Sequence, residues 1–310
     1  MQVRIVSLVP HATELLFALG AGPEVVGVTH ECDYPPETLA LARVTRDVLP
    51  AGLSSGEIDA AVRERTLEGR SIYELDREAL EELAPDLIVT QALCSVCAVS
   101  YDDVATLAEE LPTRPRVVSL DPKTLDETLT DMHALGEATD HGDQAERLAR
   151  ETATRVERVS ASVRSQLARS QDQPRVLALE WLDPPYVAGH WTPQMIELAG
   201  GEDVLGRLGE PSYTTTWEQA AAAQPQVVIV MPCGFDAARA QAEALVHARA
   251  LAALEAERVV AVDASAYFSR PGPRLVDGLE LLAHILHPRD VASVPAGARA
   301  IAVDVLAAAR

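Results

Sequence analysis

Four cysteines, Cys32, Cys94, Cys97 and Cys233, are the residues of this chain with the plainest capacity for chemistry. Each follows a short apolar run of the kind that forms a buried strand, and none falls inside a helical pattern. Cys94 and Cys97 make a C-x-x-C pair. Four converging thiolates would hold Zn²⁺ or an iron–sulfur cluster, and the pair alone would suit a redox dithiol. The opposing consideration is that free cysteine is among the most buried residue types and usually only packs. The second C-x-x-C of a typical structural zinc site is absent, since Cys32 and Cys233 stand alone.

Aromatic residues supply the second signal. They are only 4% of the chain, yet Trp181, Tyr186, Trp191, Tyr213, Trp217, Phe235, Tyr267 and Phe268 gather in predicted loops of its second half. Core positions are filled instead by Leu, Val and Ala. A wide, ring-lined cleft suits a large, flat, partly apolar ligand. His11, His30 and His190 follow predicted strands and are candidate axial ligands to a metal carried by such a molecule. The candidate ligand-binding set is therefore Pro10, His11, Tyr34, Trp181, Tyr186, His190, Trp191, Tyr213, Phe235, Tyr267 and Phe268. The candidate metal set is Cys32, Cys94, Cys97 and Cys233. No catalytic residues are assigned: the chain has no G-x-S-x-G, H-E-x-x-H, phosphate loop or dinucleotide fingerprint. Glu14, Glu31, Glu180 and Asp183 have no evident nucleophile to serve.

These side chains need a scaffold. With 310 residues, 48% apolar and 24% charged, the chain can bury one large core or two smaller ones. A net charge of −21 argues against nucleic acid and against an anionic membrane surface. No apolar run reaches the ~18 residues of a membrane span. Residues 1–10 read as a first strand rather than a signal peptide, so the expectation is a cytoplasmic protein as written, or a periplasmic or extracellular one whose signal has been removed.

Short apolar runs near residues 3–9, 25–29, 86–90, 117–120, 175–180, 227–231 and 258–262 alternate with helical patterns. That implies an α/β fold of parallel sheets covered on both faces. Residues 45–70 are polar, with one helical patch, and read as a surface excursion; residues 73–83 read as helical. Residues 143–170 contain no Gly or Pro and carry apolar side chains every three to four positions, predicting one long amphipathic helix. Leu19-Gly20-Ala21-Gly22 matches Leu198-Ala199-Gly200-Gly201 in the same gapless register as Val25-Val26-Gly27 and Val204-Leu205-Gly206. Ala84-Pro85-Asp86-Leu87-Ile88-Val89 echoes Gln224-Pro225-Gln226-Val227-Val228-Ile229. The expectation is two similar parallel-sheet lobes, residues 1–141 and 173–310, bridged by one long helix within 142–172, with a ligand cleft between them at the strand tips.

Ser7-Leu8-Val9-Pro10, Thr13-Glu14-Leu15-Leu16 and Leu19-Gly20 resemble the opening of the ABC-transporter solute-binding proteins for cobalamin, ferric siderophores and haem. Pro85-Asp86-Leu87-Ile88-Val89 is similar too, as is Arg270-Pro271-Gly272-Pro273-Arg274-Leu275-Val276-Asp277-Gly278-Leu279 with His287-Pro288. The resemblance covers nearly the whole chain and is greatest to the cobalamin-binding members, including ones with the Cys94-x-x-Cys97-Ala98-Val99-Ser100-Tyr101 stretch. It implies two α/β lobes joined by a rigid helix, non-enzymatic binding of a corrinoid for uptake or handling, and a transporter permease as partner. Alternatives are a Zn or iron–sulfur protein built on the four cysteines, a binder of haem or a ferric chelate, and an enzyme acting on a corrinoid. The exported members carry a signal peptide or a lipoprotein cysteine, neither of which is read in this sequence, and the cysteine set is not a general feature of the exported cobalamin binders.

Overall fold

The computed structural model describes residues 3–92, 99–170, 173–288 and 299–308. The chain forms two compact units: Met1–Pro122 with Glu127–Glu151, and Lys123–Asp126 with Thr152–Arg310.

In the first unit, β1 (Ile5–Ser7) leads to α1 (Pro10–Ala18), β2 (Val25–Val28) and β3 (Ala42–Arg43). β4 (Thr45–Asp47), α2 (Ser55–Leu67) and β5 (Tyr73–Leu75) follow, then α3 (Arg77–Leu83), β6 (Leu87–Thr90), α4 (Tyr101–Glu110), β7 (Arg116–Ser119) and α5 (Leu125–Ala138). The main sheet is parallel throughout, in the order β3-β2-β1-β6-β7. β1 and β6 are buried along their whole length, as helices on both faces require, so they read as unbroken apolar runs. The polar excursion is β4 paired antiparallel with β5 around α2. Ser54 and Glu57 start α2 with a capping box, satisfying two otherwise orphaned backbone donors. Residues 73–75 are strand, not the helix expected from their composition. The helix begins only after Asp76, whose side chain accepts from the Ala79 N–H.

The long helix is α6 (Gly142–Ser170), about 43 Å at the standard rise. The boundary between the units falls inside it. Ala145 and Ala149 are buried in the first core, whereas Val159 and Val163 are buried beyond the boundary.

In the second unit, β8 (Arg175–Leu182) turns back into β9 (Pro185–Val187), followed by α7 (Thr192–Leu198), β10 (Glu202–Asp203), β11 (Tyr213–Thr214) and α8 (Trp217–Ala222). Then come β12 (Val227–Val230), α9 (Ala237–Val246), α10 (Ala248–Ala252), β13 (Arg258–Val262), α11 (Ala264–Tyr267), α12 (Leu275–Leu286), β14 (Ala300–Ala302) and α13 (Val305–Ala308). The sheet order is β11-β9-β8-β12-β13-β14, with β10 beside β8. β8, β10, β12 and β13 are parallel, as expected; β9 and β14 join antiparallel to their neighbours. Arg155 on α6 donates to Glu280 Oε1 (3.0 Å) and Oε2 (2.7 Å) and to Asp277 Oδ1 (2.6 Å), both on α12. Arg158 adds a 3.0 Å bond to Glu280.

The two units repeat one local design. α1 ends with Gly20 at φ +87°, its N–H on Phe17 O and the Ala21 N–H on Leu16 O. α7 ends with Gly200 at φ +83°, its N–H on Glu197 O and the Gly201 N–H on Ile196 O. Both are Schellman endings, which need a residue in the left-handed region. Gly20 therefore corresponds to Gly200, one position away from the match to Ala199 that the sequence register implied. Ala84 and Gln224 both have positive φ. Asp86 Oδ2 accepts from the Arg4 N–H, and Gln226 Oε1 accepts likewise from the Arg175 N–H.

Candidate functional site

In an open parallel sheet, ligands bind outside the carboxyl ends of the strands, at the point where neighbouring connections leave in opposite directions. In the first unit that point lies between β1 and β6. The β1 tip carries Pro10, the first residue of α1, where its missing N–H costs no hydrogen bond. His11 follows and is buried, at 3% exposure. The β6 tip carries Gln91, also buried. Cys94 and Cys97 lie outside the described residues.

Cys32 departs from its expected role as a metal ligand. It is 1% exposed and belongs to the apolar core of its unit. Its Sγ sits 3.1 Å from Thr13 Oγ1 and 3.3 Å from Thr29 Oγ1, so the thiol's weak polarity is met inside the core. Near the β2 tip, His30 Nδ1 lies 2.8 Å from Thr45 Oγ1, and its ring is 5.2 Å from that of Tyr73. The Tyr73 hydroxyl donates to Glu31 Oε1 at 2.9 Å. The sequence pattern places Tyr73 in a helix; its place beside the β2 tip follows from the β4–β5 pairing, which periodicity does not reveal. Tyr34 stands exposed, at 44%.

In the second unit the corresponding point lies between β8 and β12. The Cys233 N–H, just past β12, donates to Glu180 O at 3.1 Å, and the Cys233 side chain is exposed. Trp181 is partly exposed on β8. Its ring meets Phe235 edge-on at 5.6 Å, and its indole N–H donates to Asp183 O. Arg239 holds its guanidinium 3.6 Å over the Phe235 ring, a cation–π stack. Asp236 fixes Arg239 by capping α9 through the Arg239 N–H at 2.8 Å. Tyr186 lies on β9 rather than in a loop, opposite Thr214 of β11. Tyr213 donates its hydroxyl to Leu205 O at 2.8 Å, beneath the Arg207 guanidinium at 4.4 Å. Trp181, Tyr213 and Trp217 all pack their inner faces on one apolar core and keep part of each ring exposed. Arg207 and Arg239 were not singled out from the sequence, because arginine spacing alone carries no signal for ring stacking.

Four aromatic candidates are packing residues. Phe268 is 1% exposed, and Phe235 and Tyr267 are also buried. Trp191 is 6% exposed and donates its indole N–H to Phe268 O at 2.8 Å. They brace the surrounding loops. Nearby, Asp263 caps α11 through the Ala266 N–H; burial, chiefly, pushes its carboxyl above the ordinary range. His190 is partly buried and stacks on Trp191 at 5.5 Å. Burial first, and the Lys123 charge second, lower its pKa from the usual 6.5, so the imidazole is neutral at pH 7.

Among the described residues no group of three or more His, Cys, Asp or Glu is arranged to hold a metal ion. Cys32 is enclosed in the first unit and Cys233 lies at a strand tip of the second, so a four-cysteine centre gains no support. The arrangement at the second unit's strand tips is one of apolar ring faces edged by guanidinium groups. A surface of that kind is chemically suited to a flat, partly apolar solute that also carries polar substituents.

Two α/β units that share one long helix define the class of two-lobed solute-binding proteins. The chain belongs to the periplasmic binding protein family, whose model matches residues 5–266. It is 26% identical over 284 residues to a vitamin B12-binding protein of Vibrio cholerae, covering 89% of this chain and 86% of that one. A vitamin B12-binding protein of Pectobacterium carotovorum is 26% identical over 238 residues, 73% of this chain and 70% of that one. Among solved structures, the apo periplasmic heme-binding protein RhuT from Roseiflexus sp. RS-1 superposes with a TM-score of 0.68 at 26% identity, covering 93% of this chain and 99% of that one. The periplasmic vitamin B12 binding protein BtuF of Vibrio cholerae gives 0.66 at 24% identity, with 91% and 96% covered, and supports the fold. The two solved structures are described as periplasmic proteins, so the cytoplasmic expectation finds no support among them. No helix of the described residues is long and apolar enough to cross a membrane.

Proposed function

We propose that this protein is a non-enzymatic receptor for a corrinoid, acting outside the cytoplasm and delivering its ligand to an ABC-transporter permease. The observation that carries the proposal is the 26% identity to vitamin B12-binding proteins over 89% of the chain. The partly exposed rings of Trp181, Tyr186 and Tyr213 supply flat apolar contacts of the kind a corrin macrocycle needs. Arg207 and Arg239 add donors for polar side groups.

Tryptophan fluorescence tests the proposal. All three tryptophans lie in the second half of the chain. Titration with cyanocobalamin is expected to give saturable quenching, weakened about tenfold or more in Trp181→Ala, the loss of an aromatic anchor. Absence of saturable quenching would overturn the proposal. The second reading is haem, favoured by the likeness at 26% identity to a heme-binding protein. Quenching by haemin and not by cyanocobalamin would select it.

A further inference from the structure

Among the described residues, six other than glycine have positive φ: Ala84, Arg114, Asp140, His190, Gln224 and Glu255. Five lie one to four residues after the end of a helix, in the turns by which the chain leaves it. His190 is different. It precedes a helix, α7, at φ +51°. Its N–H donates to Glu210 O at 2.7 Å and its carbonyl accepts from the Gly209 N–H at 3.0 Å. These two bonds lie beyond the end of the β9–β11 ladder and tie the His190 backbone to the loop that precedes β11. Gly189 makes the approach feasible, because a Cβ there would lie 2.4 Å from Glu210 O. Backbone strain of this kind clusters at ligand clamps and switch regions.

The side chain completes the case. The ring is fixed from one side by Trp191, at 5.5 Å and 29° between planes. Neither ring nitrogen has a hydrogen-bond partner among the described residues, whereas His30 is tied to Thr45 and His11 is enclosed. A ring nitrogen without a partner leaves a lone pair available, and imidazole binds metals through that lone pair.

We infer that His190 is the axial ligand to the metal of a tetrapyrrole-type chelate bound by this protein, replacing an exchangeable axial water. The inference rests on the corrinoid reading and deepens it. In the step one imidazole nitrogen donates its lone pair to Co(III), one water leaves, and no electron is transferred. A ligand whose axial position is blocked by cyanide gains nothing from His190.

The test compares aquocobalamin with cyanocobalamin. The wild-type protein is expected to shift the visible bands of aquocobalamin to those of an imidazole adduct. It should also prefer aquocobalamin over cyanocobalamin by about tenfold or more, a ratio of one decade in Kd. His190→Asn, which tolerates the left-handed backbone, should abolish both the shift and the preference. An assay that needs no variant uses cob(II)inamide, which lacks its own base. Its electron paramagnetic resonance spectrum on the wild-type protein should show coupling to one nitrogen, changing from three lines to two with ¹⁵N-histidine. Binding of both cobalamins with an unshifted aquo spectrum, or no nitrogen coupling, overturns the role of His190 and leaves corrinoid binding standing. Binding of neither cobalamin removes the parent reading and this inference together.

Discussion

Gly20 and Gly200 close the same turn in the two units, and the structure predicts that replacing them by alanine has unequal costs. Both sit in the left-handed region, at φ +87° and +83°, where an L side chain costs about 1–2 kcal/mol. At Gly20 the nearest neighbour to a new Cβ is His141 Cδ2 at 4.0 Å, so the backbone term stands alone. At Gly200 the new Cβ would lie 2.3 Å from Val163 Cγ1 and 2.6 Å from His287 Nε2. Val163 is on α6 and His287 ends α12, both buried. Relief requires these elements to shift, and overpacking of this kind adds about 1–3 kcal/mol. Gly200→Ala should therefore lose about 2–5 kcal/mol against about 1–2 for Gly20→Ala. Urea unfolding reads the difference. Tryptophan fluorescence reports the second unit, which holds Trp181, Trp191 and Trp217, and far-ultraviolet circular dichroism reports both. A large midpoint shift by fluorescence is expected for Gly200→Ala and a small one for Gly20→Ala. Equal shifts, or the reverse order, would refute the argument from the α6–α7–α12 packing.

Other outcomes follow from the charged and buried polar groups. Burial alone would raise Glu280, but bonds and charge from Arg155 and Arg158 outweigh it and hold the carboxyl below its usual 4.5. Its stabilisation is therefore complete above that pH and fades as pH falls through the lowered value; Glu280→Gln should cost about 1–2 kcal/mol at pH 7 and flatten the acid limb of the stability curve. Asp131 has its pKa raised to about 7, mainly by burial and then by Asp121 and Glu127. Because the folded state holds this proton more tightly, stability falls as pH rises from about 4 to 7. Asp131→Asn should raise the unfolding midpoint at pH 8 and leave it unchanged at pH 4; a gain of equal size at both would refute the burial argument. Trp191→Phe removes the donor to Phe268 O, leaves a buried carbonyl unmet, and should cost about 1–3 kcal/mol in the fluorescence-detected transition.

The alternation of strands and helices was legible because parallel strands buried on both faces are continuous apolar runs, as in Val227–Val230 and Leu87–Thr90. The long helix was legible from periodicity over residues 143–170. The β8–β9 hairpin was not. Asp183-Pro184-Pro185 reads as a stop, and only the pairing of Trp181 with Tyr186 shows that the chain turns back into the sheet. Residues 73–75 carried side chains equally at home in helix or strand, and their partner, β4, is decided by long-range pairing. The aromatic candidates were recognisable by type, but not which of them face inward. Trp181 and Trp191 look alike in sequence, yet one lies partly exposed on β8 and the other is tied to Phe268 O. Cys32 illustrates the same limit: its position after a strand was legible, whereas its enclosure by Thr13 and Thr29 depends on packing. The left-handed backbone at His190 depends on the Glu210 and Gly209 contacts and leaves no mark in composition.

The central claim is that the chain binds a corrinoid. Equilibrium dialysis of the purified protein against cyanocobalamin, with haemin in a parallel cell, measures it without relying on any optical change in the protein. The account predicts saturable retention of about one cyanocobalamin per chain, at a Kd of micromolar or below. Retention no greater than in a protein-free cell, at protein concentrations well above that value, would contradict it.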